Sequence, residues 1–290
     1  MNPMTPNSQR ISVNISATLY EDVLKRCKET GETFDNLIQH ALEKPLGVEH
    51  HTLFQVSTST ALVQGVYEGC TTVSSIKTYG NFGLGTYDAL NGEGLMLDGH
   101  VFQALSDGTV VEPDKACMVP FWVSTQFVAD RTAKLPMISS LNELCSQVNQ
   151  YRPSENLFYA MRIDGLFEMI HYRVANKSSP GIDLVSATSQ QAEFRLNNIE
   201  GTLLGFWSPD YAKSFNIPGY HLHFLSSNHQ HAGHVLEICG KNLTLQIMDI
   251  NKMMVIMPKS EGFLKADLSM DPTIALSQAE GANRGNTNSK

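Results

Sequence analysis

The sequence predicts a β-rich α/β protein: two domains of mixed and antiparallel sheet behind a short helical extension. Three observations carry this. Period-two apolar alternation, broken by Gly-containing turns, dominates from His51 onward. Helical periodicity is concentrated in residues 18–44 and is brief elsewhere. The length, 290 residues, suits about two domains at roughly 150 residues each. A hydrophobic content of 42% supports real cores. The balance of 21 Lys+Arg against 29 Asp+Glu, net −8, argues against a general nucleic-acid or membrane-surface binder, because nothing offsets phosphate charge. No run of ~18 apolar residues is present for a membrane helix, and Met1–Arg10 has no apolar signal-peptide core. Five cysteines, odd in number and without a C-x-x-C pair, read as reduced thiols of a cytoplasmic protein.

Residues 1–9 read as a disordered leader. Ile11, Val13 and Ile15 alternate with polar residues and predict a short strand. Thr18 with Glu21 resembles a capping box, followed by Leu19, Val23, Leu24 and Cys27 at helical spacing and Gly31 as a stop. Phe34, Leu37, Ile38, Ala41 and Leu42 predict a second helix ending before Pro45. Strand–helix–turn–helix resembles a ribbon-helix-helix module. Over residues 1–50, however, five Lys+Arg face seven Asp+Glu, which suits an oligomerisation or docking extension better than a DNA-reading arm. The domain boundaries predicted are 1–48 for this extension, 49–178 and 179–281 for the sheet domains, and 282–290 for a disordered tail.

Thr52–Gly65 reads as a strand region and Thr72–Tyr79 as a short helix. Asn91-Gly92 and Asp98-Gly99 are turns that favour positive φ, so the segment Gly80–His100 predicts a three-stranded meander. Its glycine run is not a dinucleotide fingerprint, since strands rather than a helix follow. Ser140 and Glu143 cap a helix whose Leu141, Leu144, Cys145 and Val148 share a face. Leu157–Ile163 and Leu166–Val174 predict strands around an Asp164-Gly165 hairpin, and Gln190–Asn198 a short helix. Gly201–Trp207, Tyr220–Leu225, His234–Cys239, Leu243–Ile247 and Met253–Met257 then predict successive strands.

The most informative pattern is Gly219-Tyr220-His221-Leu222-His223-Phe224-Leu225, a polar loop, then Gly233-His234-Val235-Leu236. Residues two apart in a strand share a face, so His221 and His223 project together. A turn centred near His229 brings His234 beside His223 and Phe224. Three imidazoles on two adjacent strands match the donor set of a catalytic zinc, with positions left for water or substrate. Cu, Ni, Co and Fe also accept imidazole. His229 and His231 are rival ligands on the loop, read as solvent histidines.

Three blocks, Gly80–Gly99 (GNFGLGTYDALNGEGLMLDG), Phe158–Gly165 (FYAMRIDG) and Gly219–Leu236 (GYHLHFL…GHVL), resemble the α-acetolactate decarboxylase family. The resemblance covers about residues 51–281. It implies a two-domain sheet fold, a homodimer, and conversion of 2-acetolactate to acetoin and carbon dioxide with zinc as cofactor. It places the metal ligands on His221, His223 and His234. It places further site residues on Glu93, Thr86, Glu280 and Arg173, with Arg162 a rival to Arg173 and Glu261 a rival to Glu280. The residue types suffice for the chemistry. Loss of carbon dioxide leaves an electron pair that a metal can stabilise as an enediolate, and Glu93 or Glu280 can carry the proton that gives one enantiomer. An arginine can hold the departing carboxylate, and Thr86 can add a hydrogen bond.

One geometric tension follows. In a two-residue Asn-Gly hairpin Leu90 faces Glu93 and Thr86 faces Leu97, so Thr86 and Glu93 stand roughly 13 Å apart. Both reach one site only if the meander twists or bulges, as Gly92 and Gly94 permit. The alternative function is a metal-sensing regulator of ribbon-helix-helix type, which accounts for residues 10–44 and the histidines but not for Gly80–Gly99.

Overall fold

The computed structural model describes residues 12–31, 33–46 and 50–280. The leader before residue 12 and the tail after 280 lie outside the described residues. The chain forms two compact units, Met1–His50 and His51–Lys290.

The first unit holds helices α1 (Ala17–Thr30) and α2 (Phe34–Leu46). The cap of α1 is Ser16, whose Oγ accepts from Leu19 N at 3.2 Å, so the expected capping residue Thr18 lies inside the first turn. Gly31, at φ 74°, ends the helix with its N–H on Cys27 O. Helix α2 runs one residue past Pro45 instead of stopping before it. The proline ring already holds a helix-compatible φ, and in the last turn it forfeits only one hydrogen bond. Residues 12–16 are not a strand. A strand requires a ladder partner, and none pairs with this segment among the described residues.

The second unit begins with β1 (Thr52–Val56) and a short helix α3 (Ser59–Val63), where strand alone was expected. Thr58 turns the chain by capping that helix. β2 (Thr71–Thr72) and α4 (Val73–Ile76) lead into β3 (Phe82–Thr86), β4 (Glu93–Leu97) and β5 (His100–Ala104), the expected meander. Its flanks add β6 (Val110–Val111) beside β5 and β8 (Phe121–Thr125) beside β3, while β7 (Met118–Val119) pairs with β2 in a separate two-stranded ladder. Then come β9 (Arg131–Ile138) and α5 (Leu141–Asn149), capped by Ser140 and buried on its Leu141, Leu144, Cys145 and Val148 face as expected. β10 (Phe158–Val174), α6 (Leu184–Thr188), β11 (Ala192–Ser208), β12 (Gly219–Ser226), β13 (Ala232–Ile250) and β14 (Lys252–Ile256) follow. Helices α7 (Glu261–Lys265) and α8 (Thr273–Glu280) complete the described chain.

A seven-stranded sheet has the order β14-β1-β8-β3-β4-β5-β6, antiparallel except for β14 against β1. A five-stranded antiparallel sheet has the order β10-β11-β12-β13-β9, and β10 also pairs with β13, so the sheet closes on itself. Sheet membership is not sequential. Residue 178, the expected boundary between sheet domains, lies between β10 and β11, which pair from Tyr159↔Trp207 to Val174↔Ala192. β14 returns from the end of the chain to the first sheet.

Three expected breaks are absent. Asp164-Gly165 is no hairpin, because Asp164 and Gly165 pair with Thr202 and Gly201 in mid-ladder. Gln190–Asn198 is strand rather than helix, with alternating half-buried and exposed positions over 192–197. The two strands expected over 234–247 are one, β13. In each case pairing in a continuous ladder outweighs a local turn or helix signal.

Candidate active site

The site stands on three adjacent strands of the five-stranded sheet. Arg173 on β10 is opposite His234 on β13, and His234 is opposite His223 on β12. Directly paired residues share a face, so these three side chains emerge together. His221 lies two residues before His223 on that face. Phe224 is opposite Gly233, as the turn centred near His229 requires. The imidazole centroids lie 5.1, 5.1 and 5.5 Å apart, and one nitrogen from each of His221, His223 and His234 falls within 4.8 Å of the others.

The meander supplies the opposite wall, and its geometry removes the expected 13 Å separation. The β3–β4 connection runs through Tyr87–Gly92, with Ala89 and Leu90 at φ 58° and 55°, rather than through a two-residue turn. The longer loop resets the register so that Thr86 pairs directly with Glu93. Thr86 Oγ1 donates to Gly92 O at 2.8 Å, which ties the loop down and commits the hydroxyl proton. Its lone pairs remain for a substrate hydroxyl.

Second contacts aim two of the three imidazoles. His223 Nδ1 lies 3.0 Å from Gly94 O, so its Nε2 faces the centre, 3.6 Å from Glu93 Oε2. His234 reaches Glu280 O through Nε2 at 3.1 Å and turns Nδ1 inward, 3.6 Å from Glu280 Oε2. His221 Nε2 is 3.8 Å from the same oxygen. Arg173 Nη2 donates to Glu280 Oε2 at 3.2 Å, and Ala175 N–H donates to Glu93 Oε1 at 3.2 Å. Leu62, Leu90, Phe121, Leu184 and Ile217 form an apolar wall around a cavity of about 30 Å³.

Burial governs the protonation states. It lowers the pKa of His221 to about 3, with the Arg173 charge adding to the effect. It holds His223 and His234 well below the usual histidine range, helped by the neighbouring imidazoles and Arg173. All three are therefore neutral near pH 7, the form that ligates a metal. Burial also pushes Glu93 up to about 7 against the opposing charge of Arg173, and raises Glu280 against the same guanidinium. The site fits a metal ion. His223 Nε2 is buried without a hydrogen-bond partner, and the inward nitrogens and carboxylate oxygens face one another beyond hydrogen-bond distance.

The rivals stand elsewhere. Arg162 pairs with Asp98 and Asp164, and Glu261 is an exposed partner of Lys265. His229 is exposed and packs on Phe102, and His231 is outside the imidazole cluster. Sequence reasoning missed the groups that orient His223, Glu93 and His234: Gly94 O, Ala175 N–H and Glu280 O are main-chain groups, visible only once the fold is known. It also missed the apolar wall, whose members come from five separate segments.

Carboxylates and imidazoles pushed this far from their ordinary pKa values around one pocket are characteristic of an enzyme's active centre. The sequence profile described as Alpha-acetolactate decarboxylase matches residues 53–270. The alpha-acetolactate decarboxylase of Methanosarcina mazei is 38% identical over 83% of this chain and 82% of its own length. That of Methylococcus capsulatus is 38% identical over 81% of this chain and 91% of its own. The crystal structure of alpha-acetolactate decarboxylase from Bacillus subtilis strain 168 superposes with a TM-score of 0.77 at 34% identity, covering 80% of this chain and all of that one. The chain belongs to the alpha-acetolactate decarboxylase family and is a carboxy-lyase. Residues 1–52 and 271–290, including Glu280, fall outside the profile match.

Proposed function

We propose that the protein decarboxylates 2-acetolactate to acetoin and carbon dioxide, with zinc held by His221, His223 and His234. The observation that carries this reading is the convergence of three neutral imidazoles, two carboxyl groups and one guanidinium on a single small pocket. When bound, zinc supplies a Lewis acid for the electron pair released as the carbon–carbon bond breaks.

Arg173 binds the substrate carboxylate in exchange for its contact with Glu280, and regains Glu280 when neutral carbon dioxide leaves. Glu93 is the proton donor. Its carboxyl is raised to about 7 and lacks the direct guanidinium bond that favours ionised Glu280. A proton passes from its Oε atom to the carbon that lost carbon dioxide, from one side only, which yields one acetoin enantiomer. Thr86 accepts from the substrate hydroxyl, and the apolar wall covers the methyl groups and excludes water. The expected homodimer and cytoplasmic location belong to this reading; no helix among the described residues is long and apolar enough to cross a membrane. A metal-sensing regulator does not account for the match over 53–270.

The test is acetoin production from racemic 2-acetolactate by the purified protein. Acetoin of one handedness is expected, and none from folded, zinc-loaded protein overturns the reading. Reloading the stripped protein with zinc, manganese, cobalt or nickel in turn tests the choice of metal.

A further inference from the structure

Tyr67 is a buried phenol that the chemistry above does not use. It lies on the connection from α3 to β2, and its side chain is closed off from solvent. Its main chain is fixed from two sides. The N–H donates to Gly65 O at 3.1 Å, and the carbonyl accepts from Ala89 N at 3.0 Å. The second bond ties Tyr67 to the β3–β4 connection, where Ala89 precedes Leu90 of the cavity wall. Tyr67 also belongs to the buried core that holds Leu62, Leu90 and Leu184 of that wall and Leu276 and Ala279 of α8, the helix that ends on Glu280. In this setting the Tyr67 hydroxyl is buried and has no hydrogen-bond partner among the described residues. Burial keeps the phenol protonated, and the charges of Asp183 and Glu280 reinforce that, so it remains a donor near pH 7. Two carboxylates therefore act on it. Asp183 is exposed, and both of its oxygens already accept from Ser186, at 3.0 and 2.6 Å. Glu280 is buried, and its contacts with Arg173, His221 and His234 all fall on Oε2, which leaves Oε1 to accept.

We infer that Tyr67 is a positioning residue whose hydroxyl donates to Glu280 when the substrate carboxylate takes Arg173. The inference rests on the decarboxylase reading, in which Arg173 exchanges Glu280 for the substrate. That exchange strips a buried carboxylate of its charged partner, which is strongly unfavourable unless another donor takes its place. Tyr67 is an uncommitted donor beside α8. The bond forms as substrate binds, lasts while Arg173 is engaged, and is released when carbon dioxide leaves and Arg173 regains Glu280. It is therefore present equally in the bound substrate and in the transition state. Such an interaction lowers KM and leaves kcat unchanged.

The experiment compares full-length Tyr67→Phe with wild type in steady-state acetoin formation, bound zinc, and urea unfolding without substrate. KM for 2-acetolactate is expected to rise about tenfold or more, the scale of a hydrogen bond to a charged group. The kcat stays within about twofold of wild type, and bound zinc is unchanged. The urea midpoint is expected at or above that of wild type, because phenylalanine removes a buried hydroxyl that has no partner in the substrate-free protein. A merely structural tyrosine gives the opposite pattern, a lower midpoint and lower kcat with KM near wild type. An unchanged KM, or a raised KM accompanied by a lower midpoint or lost zinc, overturns the inference and leaves the decarboxylase reading standing. No acetoin from zinc-loaded wild type overturns both.

Discussion

The two hairpins that build the site, β12–β13 and β3–β4, differ in how their connections set the register of the facing side chains. In β12–β13 the loop is polar and the flanking residues alternate cleanly, so centring the turn near His229 set His223 against His234. In β3–β4 the Asn91-Gly92 pair is a strong signal for a two-residue turn. Yet Ala89 and Leu90 take left-handed φ values, and the loop lengthens to set Thr86 against Glu93. A turn motif therefore gives the presence of a hairpin more securely than its register, and a catalytic separation inherits the register.

That contrast can be tested from its strongest element downward. The histidine hairpin is expected to be indispensable. His223→Ala removes a ligand and with it several kcal/mol of transition-state stabilisation, on the order of 10⁴-fold in kcat; steady-state acetoin formation with metal content measured in parallel checks this. On the meander, Glu93→Gln keeps shape but removes the proton, so kcat falls about 10³-fold while bound metal stays at the wild-type level. Arg173→Lys keeps the charge but loses the planar fork, and kcat/KM falls about 10²-fold.

The loop itself gives a smaller, structural effect. Gly92 has φ 84°, and a Cβ there would come 2.0 Å from Ala104 O. Gly92→Ala is expected to lower stability by about 2 kcal/mol in urea unfolding. The smallest effect falls on Arg162→Ala, whose ion pairs with Asp98 and Asp164 are partly exposed. A loss under about 1 kcal/mol is expected, with turnover unchanged, which separates it from Arg173.

Much of the site was readable because strand periodicity turns sequence spacing into a shared face, as at His221 and His223. The longer strands were not, for a physical reason. Asp164-Gly165 and the Gly240–Asn242 region carry turn residues, but Asp164 and Gly165 stay paired with Thr202 and Gly201 of β11, and Gly240 and Lys241 with Ile138 and Met137 of β9, so a ladder outweighs the local preference. The one available signal over 192–197 was the alternation of Ala192, Phe194 and Leu196 with Glu193, Arg195 and Asn197, which is strand periodicity rather than helical. Glu280 had no local signal at all. It reaches the histidines from the end of α8, and only the tertiary fold brings it there.

The central claim is that the three histidines hold the metal on which turnover depends. The most direct measurement is a zinc titration of the metal-stripped protein followed by acetoin formation, in wild type and in His223→Ala. The account predicts activity rising to a plateau at one zinc per chain in wild type and none in the variant. Full turnover by the stripped protein, or a normal plateau in His223→Ala, would contradict it.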